Sequence, residues 1–202
     1  MIIIYTLING SQKVKNSNSK YFIDYISNYL NDYVIFDLKH NNYKDIFNCI
    51  KNSNIIVIAF PLYVDSPNSL TLNFLDYIYD NNINLNNKKL YVVINCGFKE
   101  GKHNITALNI IKNWCIKVNI TYQGSILIGA GEIVGKKSYK FISYSALNKL
   151  KKFSNCIKNN KKSNDIITSI DLINSKLYCV LANISWNKKC KKNKLSKEEI
   201  KK

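Results

Sequence analysis

Polar and aromatic side chains follow three short apolar runs of the sequence, in the segments NGSQKVKNSNS, PLYVDSPNSL and NCGFKEGKHN. The apolar runs are too short for buried helices and rich in β-branched residues, which is typical of buried strands. Ligands of parallel α/β sheets bind outside the carboxyl ends of the strands, where a crevice opens. The three segments are therefore the candidate ligand-binding loops of the chain.

The first loop has the composition of a phosphate site at the start of a helix. It offers hydroxyl groups at Ser11, Ser17 and Ser19, an amide at Asn18 and a cation at Lys13. A helix N-terminus favours anions through its dipole and its unpaired N–H groups. Alone, this segment is more simply interpreted as a solvated turn in which Ser19 caps the helix, but the two loops that follow favour the phosphate.

The second loop offers apolar surface for a flat ring. A proline is expected to end the strand here, so that the chain turns under the ring, and a tyrosine can stack on it. The predicted contacts are Pro61, Leu62, Tyr63, Val64 and Asp65. Asp65 has a second interpretation, as a cap of the next helix together with Ser66, with Pro67 at the first helical position.

The third loop suits the polar end of the same ring. The side chain of Asn95 and the backbone amides of Cys96, Gly97 and Phe98 can satisfy ring carbonyls. For Cys96, packing in the core is the simpler interpretation, and for His103 an exposed cap is simpler than a ligand contact. A fourth segment, GAGEIVG, is expected to supply flexible backbone.

One ligand that carries a phosphate at one end and a planar heterocycle at the other fits all of these loops, and FMN is such a ligand. The sequence shows neither a catalytic triad nor a carboxylate pair nor a set of metal ligands. This is consistent with flavin chemistry, in which the cofactor carries the reaction. The prediction is therefore FMN, with no catalytic side chain and no metal.

The same segments resemble a known family. GSQKVKNSNS and PLYVDSPNSLTLNFLD are similar to the phosphate loop and the second loop of the NADPH-dependent FMN reductase branch of flavodoxin-like proteins. NCGFKEGKHN with the later NWC, and GAGEIVG, resemble a bacterial subgroup of NAD(P)H-dependent flavin oxidoreductases. The resemblance covers residues 1–135 and, weakly, the C-terminus. The chain differs in having Lys13 where the family has Arg, and one extra residue in the loop.

The resemblance implies an enzyme that uses NAD(P)H to reduce a flavin, a quinone or a nitro or azo aromatic acceptor, and it implies a homodimer. A flavodoxin-type electron carrier is an alternative, although such carriers usually present an acidic face. A non-catalytic scaffold with a basic C-terminal partner-binding face is another. A 2′-phosphate is commonly clamped by Arg, so a chain without Arg leaves the choice between NADH and NADPH open.

The charge of the chain is strongly positive and unevenly distributed. All 30 basic residues are lysines, and the net charge is +17. Residues 136–202 hold 18 lysines against four acidic residues, whereas residues 1–135 hold 12 against nine. Arginine is the preferred residue for bidentate recognition of phosphate and guanine, so its absence argues against a specific nucleic-acid partner. A solvated lysine-rich surface is the simpler interpretation.

Location and redox state follow from the remaining composition. No apolar run reaches the roughly 18 residues of a membrane helix, and the apolar start lacks the basic region of a signal peptide. We therefore expect no membrane partner and a cytoplasmic location. The chain has six widely spaced cysteines, and no two of them form a CxxC motif. Their thiols are expected to be reduced and mostly buried.

Strands and helices must alternate to position the loops. The patterns predict strands over 2–8, 33–38, 54–60, 90–95 and 121–129, with helices between them. A sixth helix, carrying Ile170, Ile173, Leu177, Leu181 and Ile184, follows the polar linker KNNKKSND, and Ser196 with Glu199 forms a capping box for a last one. The predicted fold is one α/β domain, a doubly wound five-stranded parallel sheet with a core of about 1–160 and a helical extension of about 165–202. The resemblance implies the flavodoxin-like strand order 2-1-3-4-5.

Overall fold

The computed structural model describes residues 4–13, 16–135, 139, 141–170 and 172–193. The chain divides into two compact units, Met1–Ile170 and Asp171–Lys202. The predicted capping box at Ser196, and the first residues of the predicted first strand, lie outside the described residues. Within the described ranges, no helix is both long enough and apolar enough to cross a membrane.

The first unit is built on a mainly parallel sheet. In chain order its strands are β1 (Tyr5–Asn9), β2 (Tyr33–Asp37), β3 (Ile55–Tyr63), β4 (Ser66–Pro67), β5 (Lys89–Asn95), β6 (Thr121–Ile128) and β7 (Ile166–Thr168). The neighbours follow the order β2-β1-β3-β5-β6-β7 with parallel pairing, and β4 pairs with the end of β3 in antiparallel orientation. The predicted order of the first five parallel strands is confirmed, and β7 adds a sixth at the edge.

Helices cover both faces of this sheet. They are α1 (Asn18–Ser27), α2 (Tyr43–Asn52), α3 (Ser69–Asp80), α4 (Ile105–Lys117), the short α5 (Gly131–Val134) and α6 (Tyr144–Lys158), with 3₁₀ turns at His40–Asn42 and Gly101–Asn104. The second unit contains α7 (Ser175–Lys192). The predicted sixth helix includes Ile170 and Ile173, but Ile170 lies in the first unit, two residues after β7, and Ile173 lies before the start of α7.

Burial on both faces explains why the central strands read as continuous apolar runs. Ile58 and Ile94 belong to one core, which includes residues of α2, α3 and α4. On the opposite face the ring of Tyr91 lies 5.9 Å from that of Phe153 on α6. Alternate residues of β3 and β5 thus fill two different cores, so every position must be apolar.

Strand β7 was missed because its sequence signal is weak. It has only three residues and follows the segment interpreted as a polar linker. Tertiary contacts hold it in place. Asp165 accepts hydrogen bonds from Lys112 Nζ at 2.6 Å and Ser125 Oγ at 3.0 Å, and also from the hydroxyl of Tyr122.

These contacts predict an acid-dependent contribution to stability. Burial alone would raise the pKa of Asp165, but the hydrogen bonds from Lys112, Tyr122 and Ser125 together lower it. In the unfolded protein the carboxyl of Asp165 has a pKa of about 3.9, and above that pH its charged form contributes fully to the stability of the fold. This contribution is lost as the pH falls through the lower pKa of Asp165 in the folded protein. Because the Lys112–Asp165 pair is a third exposed, water screens it and we expect at most about 1 kcal/mol.

Thermal unfolding of wild type and Asp165→Asn at neutral and acidic pH checks this expectation. The variant should be less stable at neutral pH, and the two proteins should converge once the pH falls below the lowered pKa of Asp165 in the folded protein. Asp24→Asn serves as the control, because Asp24 is half-exposed and pairs with Lys20 within α1. A difference between wild type and Asp165→Asn that does not change with pH would contradict the assignment.

The prediction that most cysteines are buried is wrong. Only Cys96 and Cys115 are buried, Cys179 is exposed, and the other three are intermediate. Burial raises the pKa of Cys115 to about 12, so that thiol stays protonated. The prediction of a single domain, with the C-terminal helix as its extension, stays a prediction.

Candidate functional site

The three candidate loops begin at one edge of the sheet because the parallel register aligns the strand ends. Asn9 at the end of β1 is paired with Ala59, and Pro61 is paired with Asn95 at the end of β5. The chain leaves each of these strands at its carboxyl end. The predicted convergence of the loops is therefore present.

The first loop leaves β1 in close contact with β3 and α3. The backbone N–H of Gly10 donates to the carbonyl of Ala59 at 2.7 Å. A Cβ at Gly10 would lie 2.5 Å from Thr71 Oγ1 and 3.1 Å from the Cβ of Phe60. Only glycine allows this approach, so the glycine sets where the loop starts.

Ser11 and Ser17 place their hydroxyl groups within this loop. Ser11 Oγ accepts a hydrogen bond from the backbone N–H of Lys13 at 3.3 Å. Ser17, not Ser19, is the N-cap of α1, and its Oγ accepts from the N–H of Lys20 at 3.1 Å. An accepting hydroxyl still carries a hydrogen that it can donate to an anion. The first turn of α1 contains no acidic residue that would repel one.

Ser19 and Asn95 connect the first and third loops in the interior. Ser19 is 1 % exposed, and its Oγ accepts from Asn95 Nδ2 at 2.9 Å. The same amide nitrogen donates to the carbonyl of Phe60 at 3.1 Å. Both amide hydrogens of Asn95 are thus used inside the protein. Asn18 lies beside the fourth segment, because a Cβ at Gly135 would be 3.1 Å from its Oδ1.

The second loop is a β-hairpin, and two predictions about it are wrong. Strand β3 does not end at Pro61 but continues to Tyr63, which pairs with Ser66. Pro61 is tolerated within β3 because the pairing of β3 with β1 ends at Ala59. Pro61 therefore has no paired residue on β1 to which a backbone N–H would have to donate. Asp65 and Ser66 do not cap α3, and Pro67 belongs to β4, before the helix.

The cap of α3 is Asn68, which the sequence interpretation missed. Its Oδ1 accepts a hydrogen bond from the backbone N–H of Thr71 at 3.0 Å. Asparagine is among the residues most preferred at a helix N-cap, so Asn68 is an ordinary helix-start signal. It was obscured because Ser66-Pro67 offers an equally good signal two residues earlier.

The hairpin tip presents apolar surface to solvent. Val64 and Asp65 form its two-residue turn, with φ angles of 48° and 59°. Val64 is 99 % exposed and Tyr63 is 50 % exposed, while Leu62 is buried beneath them. An exposed valine with a left-handed backbone is energetically unfavourable. The tip is therefore both open and strained.

Replacing this valine should stabilise the protein. Type I′ turns, in which both central residues have positive φ, favour Asn at the first position. We expect Val64→Asn to stabilise the fold by about 1 kcal/mol, or about 2–4 °C in Tm. Val34→Asn is the matched control, since Val34 is also exposed but lies in β2. That change should lower Tm, and equal shifts in the two variants would contradict the role of the turn.

Cys96, in the third loop, is a packing residue. It is 5 % exposed, and its N–H donates to the carbonyl of Ile128 at 3.0 Å. Its Sγ lies 3.6 Å from Asn104 Nδ2, and burial raises the pKa of the thiol. The core interpretation of Cys96 is thus the one that its surroundings support.

The outer part of the third loop is open. Gly97 has nothing within 4 Å of where a Cβ would lie. Phe98 is 55 % exposed, and its ring centroid lies 4.4 Å from that of His103. His103 Nε2 is 3.8 Å from a carboxylate oxygen of Glu100. His103 therefore lies half-exposed beside Phe98 and is not a helix cap.

The fourth segment, predicted as flexible backbone, is tightly packed. A Cβ at Gly129 would approach the carbonyl oxygen of Lys99 to well under 3.0 Å, which real Cβ atoms essentially never do. The N–H of Gly131 donates to the carbonyl of Cys96 at 2.9 Å. These glycines allow close contact between the third and fourth segments.

A separate surface cavity of about 260 Å³ lies at the ends of α3 and α4, beside Tyr79 and Lys117. Both helices begin at the candidate loops and run away from them, so this cavity is at the opposite edge of the sheet. It does not include any of the predicted site residues. In the part of the chain that the structure describes, no group of His, Cys, Asp and Glu side chains could hold a metal ion.

Comparison with solved structures gives the class of fold. An NADPH-quinone reductase from P. pentosaceus aligns with a TM-score of 0.60 at 14% identity, over 78% of this chain and 99% of that one. An apo NADH:FMN oxidoreductase aligns at 0.53 and 14% identity, over 75% and 90%. A flavodoxin of Streptococcus pneumonia TIGR4 aligns at 0.55 and 12% identity, over 75% and 95%. No family model and no curated protein matches the sequence. The protein has a flavodoxin-like fold.

Proposed function

We propose that the protein binds FMN across the three loops and uses NAD(P)H to reduce a flavin, a quinone or a nitro or azo aromatic acceptor. The convergence of these loops at the carboxyl edge of the sheet carries the proposal. Two of the similar structures are an NADPH-quinone reductase and an NADH:FMN oxidoreductase. They support the proposal through a shared fold.

The first loop fits the phosphate end of FMN. Ser11 and Ser17 can donate their hydroxyl hydrogens, and Lys13 is exposed and adds a point charge. The start of α1 adds the favourable end of a helix dipole. Ser19, which is buried, would act by holding Asn95 and the third loop in place.

The hairpin and the third loop fit the ring. Tyr63 and Val64 on the hairpin, and Phe98 in the third loop, expose apolar surface that a planar ring could cover. Bound FMN would supply the hydride-transfer chemistry. The role of the protein is to orient the ring and to exclude water from it, while Pro61 and Leu62 support the hairpin from below.

We also propose a homodimer in solution. Four apolar side chains of α7, Leu177, Val180, Leu181 and Ile184, are each between 45% and 54% exposed. They recur at helical spacing, so they form a stripe that a partner chain could cover. Light scattering at micromolar concentration distinguishes a dimer from a monomer, and a monomer would contradict this part of the proposal.

The visible spectrum tests the cofactor, and NAD(P)H oxidation tests the enzyme. The purified protein, or the protein reconstituted with FMN, should show flavin absorbance that NADH or NADPH bleaches and a quinone restores. Flavin absorbance that neither nucleotide bleaches would indicate an electron carrier. A protein that cannot be loaded with FMN would indicate a scaffold, with the basic C-terminal third as its candidate partner-binding face.

A further inference from the structure

We infer that Asn68 and Thr71 are positioning residues that hold the first loop at a fixed distance from the hairpin. The phosphate of FMN would then bind the first loop and its ring would bind the hairpin, and the distance between these two loops would already be fixed in the flavin-free protein. The ligand in this inference rests on the proposed function, whereas the positioning itself rests on contacts among described residues.

Asn68 joins two elements through one buried side chain. It is 1 % exposed. Its Oδ1 caps α3 by accepting from the N–H of Thr71, and its Nδ2 donates to the carbonyl of Gly10 at 2.7 Å. The start of α3 and the start of the first loop are thus fixed to the same amide group.

Thr71 makes a second buried contact to the same carbonyl. It is 0 % exposed, and its Oγ1 donates to the carbonyl of Gly10 at 3.2 Å. The first loop and α3 make one more contact, from Gln12 Nε2 to Ser69 Oγ at 2.9 Å, and this contact is exposed to solvent. Solvent competes for the exposed contact, so the two buried donors hold the carbonyl of Gly10, while its N–H is held by the carbonyl of Ala59.

The hairpin is attached directly to this cluster. Asn68 follows Pro67, which pairs with Leu62, and Ser66 pairs with Tyr63. A shift of Asn68 would therefore move the ring-facing hairpin and the phosphate-facing loop relative to each other. A binding site has lower affinity when its contact residues must be ordered as the ligand binds, because part of the binding free energy is used to order them.

The inference predicts a selective loss. A ligand that touches both ends of the site depends on the spacing of the loops, whereas riboflavin, which lacks the phosphate, depends on it little. Losing one of the two donors to Gly10 should reduce the preference for FMN over riboflavin about five- to tenfold.

Four variants separate positioning from a general loss of stability. Asn68→Ser keeps a good helix cap but is too short to reach Gly10. Thr71→Val removes the hydroxyl at nearly constant shape, and Thr71→Ser restores it. Thr6→Val is the matched control, because Thr6 is equally buried but its hydroxyl bonds Ser53, away from the loops.

Two measurements decide the outcome: dissociation constants for FMN and riboflavin, and amide hydrogen exchange of the protein without flavin. Asn68→Ser and Thr71→Val should lower the FMN preference and speed exchange at residues 10–12 and 62–66. Thr71→Ser and Thr6→Val should do neither. An unchanged preference, or equal losses for both flavins, would overturn the inference.

If the wild type binds neither flavin, the proposed function fails, and hydrogen exchange alone decides the positioning role. Faster exchange confined to the two loops in Asn68→Ser, but absent in Thr6→Val, would still support that role. Exchange that is unchanged, or faster throughout the molecule, would overturn it.

Discussion

Ser11→Ala should weaken FMN binding about ten- to 150-fold and leave riboflavin binding nearly unchanged. The hydroxyl of Ser11 accepts a hydrogen bond from the N–H of Lys13, and an accepting hydroxyl can still donate its own hydrogen to an anion. A hydrogen bond to a charged group contributes about 1.5–3 kcal/mol. Isothermal titration with the two flavins measures the loss directly.

Two further variants check the cause of this loss. Lys13→Ala should cost the same or less, and its effect should shrink as salt rises, because Lys13 is exposed and its charge is screened. Ser53→Ala is the control, since it removes a buried hydroxyl far from the loops and should affect stability but not FMN affinity. If FMN and riboflavin bind the wild type equally well, the phosphate assignment is wrong.

Gly101→Ala should lower the free energy of unfolding by about 3 kcal/mol, the upper end of what overpacking usually costs. The added Cβ would lie well inside 3.0 Å of the backbone carbonyls of Leu127 and Thr168, and backbone atoms cannot rotate away as a side chain can. In a domain of this size the change corresponds to about 6–12 °C in Tm. Thermal unfolding followed by circular dichroism checks it.

Gly97→Ala provides a control in the same loop. A Cβ at Gly97 meets open space, so this variant should be neutral or slightly stabilising, because alanine restricts the unfolded chain. Similar Tm values for the two variants would show that the third loop is not held against β6 and β7 as the structure describes.

The fold was largely predictable because its central strands are buried on both faces. Runs such as that of Ile55 to Phe60 must be apolar at every position, and this pattern is visible without knowing the neighbours. Strand β7 was not predictable, because Asp165 and Ser163 fix it through contacts with β6 that the local sequence does not reveal.

The site was predictable as a set of loops but not as a set of contacts. Composition placed Ser11, Ser17 and Ser19 together, yet only the structure shows that Ser17 caps the helix and that Ser19 is buried against Asn95. The hairpin was missed because a proline inside a strand is acceptable only where one side lacks a partner. That condition depends on where β1 ends.

The binding of FMN is tested most directly by titrating the flavin-free protein with FMN and with riboflavin in a calorimeter. We predict one FMN bound per chain, riboflavin bound at least tenfold more weakly, and FMN affinity that falls in Ser11→Ala but not in Ser53→Ala. Absence of FMN binding, or binding that does not distinguish FMN from riboflavin, would contradict the assignment of the three loops as an FMN site.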